Sequence, residues 1–363
     1  MGIPRAVRLA PLALLALVLL APGPARAHSG AGVATDYRID LTGLRPATAG
    51  AELRAIGGDD RVQLRWTGPG ELVVLGYAGE PYLRLGPDGA FENRRSPSVA
   101  ANETRYGTVG AGVGANAAPS WRRIADAPVA VWHDHRAHWM ARVAPPGVRS
   151  DPGRRRIVQP IAIPVRVDGG RATIGGRLEY LPAPSMWRWL APAIALGLVL
   201  AIVAARGERS ALISARVAAA IGAGGGVAAA VAEWAAAPTE GLTSGLGGVA
   251  PSVRIALWLG GLALAVAAWV LATRRSRAAE AIVLLAAAWL LGGGAVLGRL
   301  GDLTHSLVPA AVPADVSRAL VACGLAGLAA PAVWAWRVLG GVREAGRAPR
   351  ASAARSAGEE MSR

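Results

Sequence analysis

The rhythm of hydrophobic and polar positions changes once along the chain, near residue 185. Before it, short stretches alternate with a period of two, broken by Gly and Pro. After it, apolar runs extend for helical lengths. Arg61–Trp66 alternates apolar and polar residues, which predicts a half-buried strand. Gly68-Pro69-Gly70 is a turn, and Glu71–Tyr77 reads as the returning strand. A shorter strand is expected over Tyr82–Leu85, ended by Pro87-Asp88-Gly89. Residues 93–120 are rich in Asn, Ser, Gly and Ala and read as long loops. Strand character returns at Pro128–His133 and near His138–Val143, before Pro145-Pro146. Ile157–Val167 reads as an edge strand because prolines interrupt it. Asp168-Gly169-Gly170 then predicts a hairpin into Ala172–Leu181.

Short strands with Gly/Pro turns and no helical period predict an all-β domain over residues 28–185, a sandwich or cupredoxin-like fold. Two small β modules with a break near 100–120 are the other division the length permits. Beyond it, five apolar segments are expected within residues 186–340: Trp189–Ala205, Leu212–Ala237, Val253–Ala272, Ala279–Leu297 and Leu320–Leu339. The first is short but flanked by Trp187 and Trp189, which suit a membrane interface, and the five together predict a five-helix transmembrane bundle. Small residues, such as Gly222, Gly224–Gly226 and Gly292–Gly294, permit close helix packing. No charge lies near the middle of any segment, which argues against an ion-coupled transporter.

Residues 1–27 have the three parts of a secretory signal peptide. Arg5 and Arg8 form a basic start, Leu9–Ala21 an apolar run, and Ala25-Arg26-Ala27 a cleavage site after Pro22 and Pro24. Cleavage there makes His28 the first residue of the mature chain.

Charge supplies a topology. The formal net charge is +15, and all 39 basic residues are arginine. Arg206, Arg209 and Arg216 follow the first segment, and Arg274, Arg275 and Arg277 join the third to the fourth. Arg337, Arg343, Arg347, Arg350 and Arg355 follow the fifth. Loops on the opposite side hold only Arg254, Arg299 and Arg318. The positive-inside rule then places the β domain outside a cell membrane and the tail, residues 341–363, in the cytoplasm as a disordered basic segment. The basicity thus has a membrane explanation. No basic helix, zinc knuckle or aromatic-basic interleaving points to nucleic acid. The one cysteine, Cys323, excludes an intramolecular disulfide and a Cys-based metal site.

Candidate chemistry is concentrated in Trp132-His133-Asp134-His135-Arg136-Ala137-His138-Trp139-Met140, which holds three of the chain's five histidines. On a strand, His133 and His135 would share one face with Cα atoms about 6.6 Å apart. Asp134 and Arg136 would then point the other way. Copper(II) favours nitrogen ligands, and a mature His28 would offer its α-amine and imidazole as a chelate. His138 is a further candidate ligand, and Met140 is a soft donor suited to copper(I). Asp134 is a ligand or a group fixing an imidazole tautomer. The same ligands admit zinc, but the free amine favours copper. A solvated turn, or a His/Arg/Asp hydrogen-bond cluster holding the domain together, uses the same residues without metal. No nucleophile motif accompanies the histidines. His305, with Asp302, falls in the loop between the fourth and fifth segments, on the same side as the cluster.

The layout and the run Trp132–Met140 resemble a group of actinobacterial membrane proteins of undefined function, as do Gly79–Arg84 and Glu92–Pro97. The combination of His28 with His133 and His135 is similar to two histidine-brace copper families, CopC-type periplasmic proteins and the B subunit of methane and ammonia monooxygenases. That resemblance implies copper binding and no oxygenase activity. The function expected is therefore a membrane-anchored extracytoplasmic copper-binding protein in copper acquisition, delivery or tolerance. Its partners would be the lipid bilayer and other copper-handling envelope proteins. A metal-free envelope scaffold, whose β domain binds a partner protein or wall component, is the alternative. An oxidative copper enzyme is a third reading without a second redox motif behind it.

Overall fold

A computed structural model describes residues 34–103, 116–236, 277–289, 296 and 298–338. The expected signal peptide, His28, the third apolar segment and the basic tail lie outside the described residues, as does most of the second half of the fourth segment.

Ten antiparallel strands form the first domain: β1 Tyr37–Arg45, β2 Ala51–Ile56, β3 Arg61–Trp66, β4 Leu72–Leu75 and β5 Pro81–Gly86, then β6 Gly89–Asn93, β7 Trp121–Ala125, β8 Val129–Trp132, β9 Arg156–Val167 and β10 Gly170–Tyr180. Two short helices interrupt them, α1 Pro97–Asn102 and α2 Pro146–Ser150. The larger sheet has the order β1-β10-β9-β4-β5-β6-β7, and the smaller has the order β2-β3-β8. Inward residues of both sheets, among them Val62, Leu64, Leu72, Leu85, Trp132, Ile163 and Ile174, share one apolar core. Strands after residue 116 pair with strands before 103, so residues 100–120 do not divide two modules.

Three strand expectations change. β4 does not return along β3; it crosses to the other sheet and pairs with β5 and β9. Gly68–Gly70 is therefore a corner between sheets, which a local turn signal cannot distinguish from a hairpin. β9 is interior to the sheet order, but β4 covers only Val165–Val167. The part of β9 holding Pro160 and Pro164 is thus a local edge, where a missing N–H is tolerated. Finally, His138–Val143 forms no strand. The hairpin at Asp168-Gly169 is as expected, with φ of 49° and 81°, the left-handed pair of a type I′ turn.

Among the described residues, three helices are long and apolar enough to cross a membrane: Trp187–Ala205, Glu208–Glu233 and Ala314–Val338. They contain α3 Trp187–Ala205, most of α4 Glu208–Ala236, and α6 Ala314–Ala326; α5 is Arg277–Ala287. Small residues permit the expected close approach. A Cβ on Gly327 would meet the Gly222 Cα at 2.5 Å. Several arginines read as topology signals also have structural partners. Arg216 lies inside α4 and bonds Glu280 of α5 through Nε at 2.8 Å. Arg299 is buried and donates to Asp302 Oδ2 at 2.7 Å and to the Ser317 hydroxyl at 2.9 Å.

The β domain is stitched to the helices at one end. Thr35 and Leu307 exchange two backbone hydrogen bonds of 3.0 and 2.9 Å. The Ser306 amide donates to Asp36 Oδ1 at 2.8 Å, and Arg318 clamps the carbonyls of Asp302, His305 and Ser306. Tyr37 pairs with Tyr180, so this end is also where β10 leaves toward α3. We call it the helix-proximal end.

Candidate metal centre

β8 runs toward the helix-proximal end: its last residue, Trp132, pairs with Val62, just after the β2–β3 turn at 57–60. The three histidines follow immediately. They are gathered by a turn, not by strand alternation. Strand structure stops at Trp132, and the Ala137 amide closes a turn onto the Asp134 carbonyl at 2.9 Å. Asp134 drives the bend with its side chain, which accepts from the Arg136 amide at 3.0 Å, as Asp does in turns.

This bend brings one ring nitrogen from each of His133, His135 and His138 within 4.8 Å of the others. His133 and His138 are 3% and 1% exposed, and His135 is half-buried. Ring centroids are 4.3 Å apart for His133–His138, 5.6 Å for His133–His135 and 5.4 Å for His135–His138. The group could hold a metal ion. An ion held by nitrogens at about 2.0–2.1 Å would draw the three rings somewhat closer than this. His135, the least buried ring, has the most room to move.

Three segments distant in the chain wall the loop: the β2–β3 turn, the β4–β5 turn and β9. The Asp60 carbonyl lies 2.5 Å from His133 Nδ1. A carbonyl only accepts, so this nitrogen carries the proton and Nε2 keeps the lone pair a metal needs. Behind His135, the Tyr77 hydroxyl accepts from the His135 amide at 2.9 Å and donates to Asn102 Oδ1 at 2.5 Å. The Tyr77 ring stacks on His135 with centroids 5.7 Å apart. From β9, Gln159 Nε2 donates to the His138 carbonyl at 3.1 Å.

Asp134 points away from the imidazoles. Its buried carboxylate accepts from Trp132 Nε1 at 2.9 Å, Arg136 Nε at 2.8 Å and Arg136 Nη2 at 2.8 Å. Burial pushes this carboxyl up, but the bonds and charge of Arg136 outweigh that and hold it below the usual range. Arg136 also donates to the Leu75 carbonyl at 3.1 and 3.2 Å. Burial, and secondarily the Asp134 charge, push the Tyr77 phenol up, so it stays protonated. The tautomer-fixing partner of His133 is thus the Asp60 backbone. Met140 is 38% exposed. His28 lies outside the described residues. His305 sits in the junction loop, with Nδ1 2.9 Å from the Gly301 carbonyl.

Asp60, Tyr77, Asn102 and Gln159 carried no ligand signal in the sequence. The segments Gly79–Arg84 and Glu92–Pro97, noted only for resemblance, build the wall behind Tyr77. Glu80 is buried and accepts from the Ser96 and Ser98 hydroxyls at 2.5 and 2.9 Å, while the Ser98 hydroxyl accepts from the Tyr77 amide at 3.1 Å. No family model, curated protein or solved structure matches the chain.

Proposed function

We propose that this chain is a membrane-anchored, extracytoplasmic copper-binding protein that acquires, delivers or detoxifies copper. The observation that carries this reading is the buried convergence of His133, His135 and His138. An all-imidazole set suits copper and zinc and is poor for the oxygen-seeking magnesium and calcium. Three ligands leave room for a fourth. His28 is the proposed fourth ligand, through its α-amine and imidazole, and its free amine tips the choice to copper.

Chain reach supports that choice. Seven residues separate His28 from Thr35, about 23–25 Å when extended. Thr35 packs against Gly58, where an added Cβ would meet its methyl at 2.5 Å. Gly58 is only two residues, about 7 Å of chain, from Asp60 at the back of His133. The amino terminus is thereby within range of the cluster. The five-helix count, the signal cleavage and the outward orientation belong to the same proposal, and rest on the arginine distribution and the apolar segments.

Titrating the purified, signal-cleaved full chain with copper, in competition with zinc, tests it. The wild type should bind one copper ion, with nitrogen couplings in its electron paramagnetic resonance spectrum. His133→Ala, His135→Ala and His138→Ala should each weaken binding by more than the roughly 10–100-fold lost with an outer-shell partner. His28→Ala should weaken it and reduce the preference over zinc. Equally weak binding by the wild type and the triple variant overturns the metal site and leaves the histidines as hydrogen-bonding residues of a scaffold domain.

A further inference from the structure

We propose that the outer face of the larger sheet at its helix-proximal end, centred on Ile157, rests on the acidic phospholipid headgroups of the bilayer its helices cross.

Ile157 is an apolar residue turned outward by a local device. Along β9, Ile161, Ile163 and Val165 face the core. Continuing that alternation would put Ile157 inside as well. The register shifts between Leu178 and Glu179, where Leu178 pairs with Gln159 but Glu179 pairs with Ile157. A bulge that places one extra residue, Val158, in β9 flips the parity and re-aims the side chain. Ile157 is consequently 61% exposed.

Arginines gather on its cross-strand partner. Glu179, its cross-strand partner, receives Arg38 and Arg155 on Oε2, both at 2.7 Å, and Arg177 on Oε1 at 2.9 Å. Arg177 also reaches Asp40 at 2.7 Å. Three guanidinium groups against two carboxylates leave a net positive patch, and exposed Arg154 adds to it. An apolar residue beside an excess of arginine matches an anionic headgroup layer, where the side chain enters the apolar boundary and the guanidiniums meet phosphates.

Position supplies the third element. Ile157 is the second residue of β9, at the end where Tyr180 leads out toward α3. The Tyr180 hydroxyl donates to the Pro152 carbonyl at 2.9 Å, which holds the segment before β9 at that same end. Trp187, 59% exposed, opens α3 a few residues on, as suits an interfacial aromatic. The headgroup layer is about 5–7 Å deep on each side of a bilayer, enough to cover the first two residues of a strand.

The proposal rests on the apolar helices crossing a bilayer, and the test separates the two. The full chain carries Cys323→Ser and a single Ile157→Cys labelled with an environment-sensitive fluorophore. It is placed in nanodiscs of phosphatidylcholine alone or mixed with phosphatidylglycerol. A second protein carries the label at Arg171→Cys, beside the far hairpin. The expected result is a blue-shifted Ile157→Cys emission in the mixed bilayer. The shift is lost with Arg154→Gln/Arg155→Gln, or when salt rises from about 0.1 to about 1 M and the screening length falls from about 10 to about 3 Å. The Arg171→Cys emission should be the same in both bilayers. Water-like Ile157→Cys emission in both overturns the proposal, and an equal shift in both overturns its dependence on acidic lipid. Failure to co-elute with nanodiscs overturns the spanning reading itself.

Discussion

Removing the Asp134 carboxylate should destabilise the β domain more than removing any of the three histidines. Asp134→Ala takes away the acceptor for Trp132 Nε1 and for three Arg136 N–H groups. The Asp134 side chain is fully buried and that of Arg136 is 21% exposed, so water replaces little of what is lost. Breaking a buried pair from one side costs about 3–5 kcal/mol. Against a typical stability of about 5–15 kcal/mol, that is a large share. For a domain of this size, each kcal/mol moves the midpoint by about 2–4 °C, giving a drop of about 6–20 °C. Thermal unfolding of the intact chain, followed by near-UV circular dichroism, reads it. A double-mutant cycle with Arg136→Ala isolates the pair. Once one partner is gone, removing the other should cost far less, so the double variant should be much more stable than the sum of the single losses indicates. A single-variant shift under about 2 °C, or additive losses, would refute the assignment of Asp134 as the hub of this loop. The same variant should lose metal affinity, because the turn that gathers the rings goes with it.

Tyr77→Phe keeps the stacked ring but removes the acceptor for the His135 amide; metal affinity should fall about tenfold, measured by competition with a chromophoric chelator, at a stability cost of about 1 kcal/mol. Gly58→Ala places a methyl where φ is +76° and where it meets the Thr35 methyl at 2.5 Å and the Tyr37 carbonyl at 2.9 Å; a loss above about 1 kcal/mol is expected in chemical denaturation, together with weaker metal binding through the displaced Asp60 carbonyl. Glu179 is held below the usual carboxylate range: burial raises it, but Arg38 and Arg155 prevail. A depressed value contributes stability that is present above the unfolded value, about 4.3, and is lost as pH falls through the folded one. Between pH 5 and pH 3 the wild-type melting temperature should therefore fall more steeply than that of Glu179→Gln, and parallel slopes would show that this carboxylate does not contribute.

The strands were legible because their signals are local. Arg61–Trp66 alternates, Asp168-Gly169 demands a left-handed turn, and β3 and the β9–β10 hairpin stand where those signals fall. Pairing was less legible. Nothing near Gly68–Gly70 states that β4 joins β9, which lies over ninety residues later. The histidine run was legible as a candidate ligand set, but two residues sharing a strand face is not what gathers the rings. Asp134 bends the chain at that point because its carboxylate captures the Arg136 amide and guanidinium, a competition with strand structure that alternation does not register. The groups behind the rings were beyond sequence reading for two reasons. Asp60 acts through a backbone carbonyl, which every residue possesses. Tyr77 and Gln159 come from a turn and a strand distant in the chain.

All three candidate ligands come from one loop, so their spacing in sequence costs little chain entropy to close. Their orientation is another matter. Asp60 ends the β2–β3 turn, Tyr77 precedes β5, and Gln159 lies on β9, within the larger sheet. The histidines can be neighbours in an unfolded chain, but they cannot be held in ligand geometry until both sheets have assembled. On the proposed reading, metal affinity would be a property of the folded domain, and an ion bound there would stabilise it by mass action, by about 2.7 kcal/mol at a hundredfold excess over its dissociation constant. The β2–β3 turn carries this coupling further. Its Asp60 carbonyl fixes His133, and its Gly58 is packed under Thr35 and Leu307, where the β domain meets the helices. A shift of His133 on loading would act on the same four-residue turn that closes the junction. The position of the cluster, at the helix-proximal end and not on the far hairpins, is thus the feature that would connect metal binding there to the apolar helices.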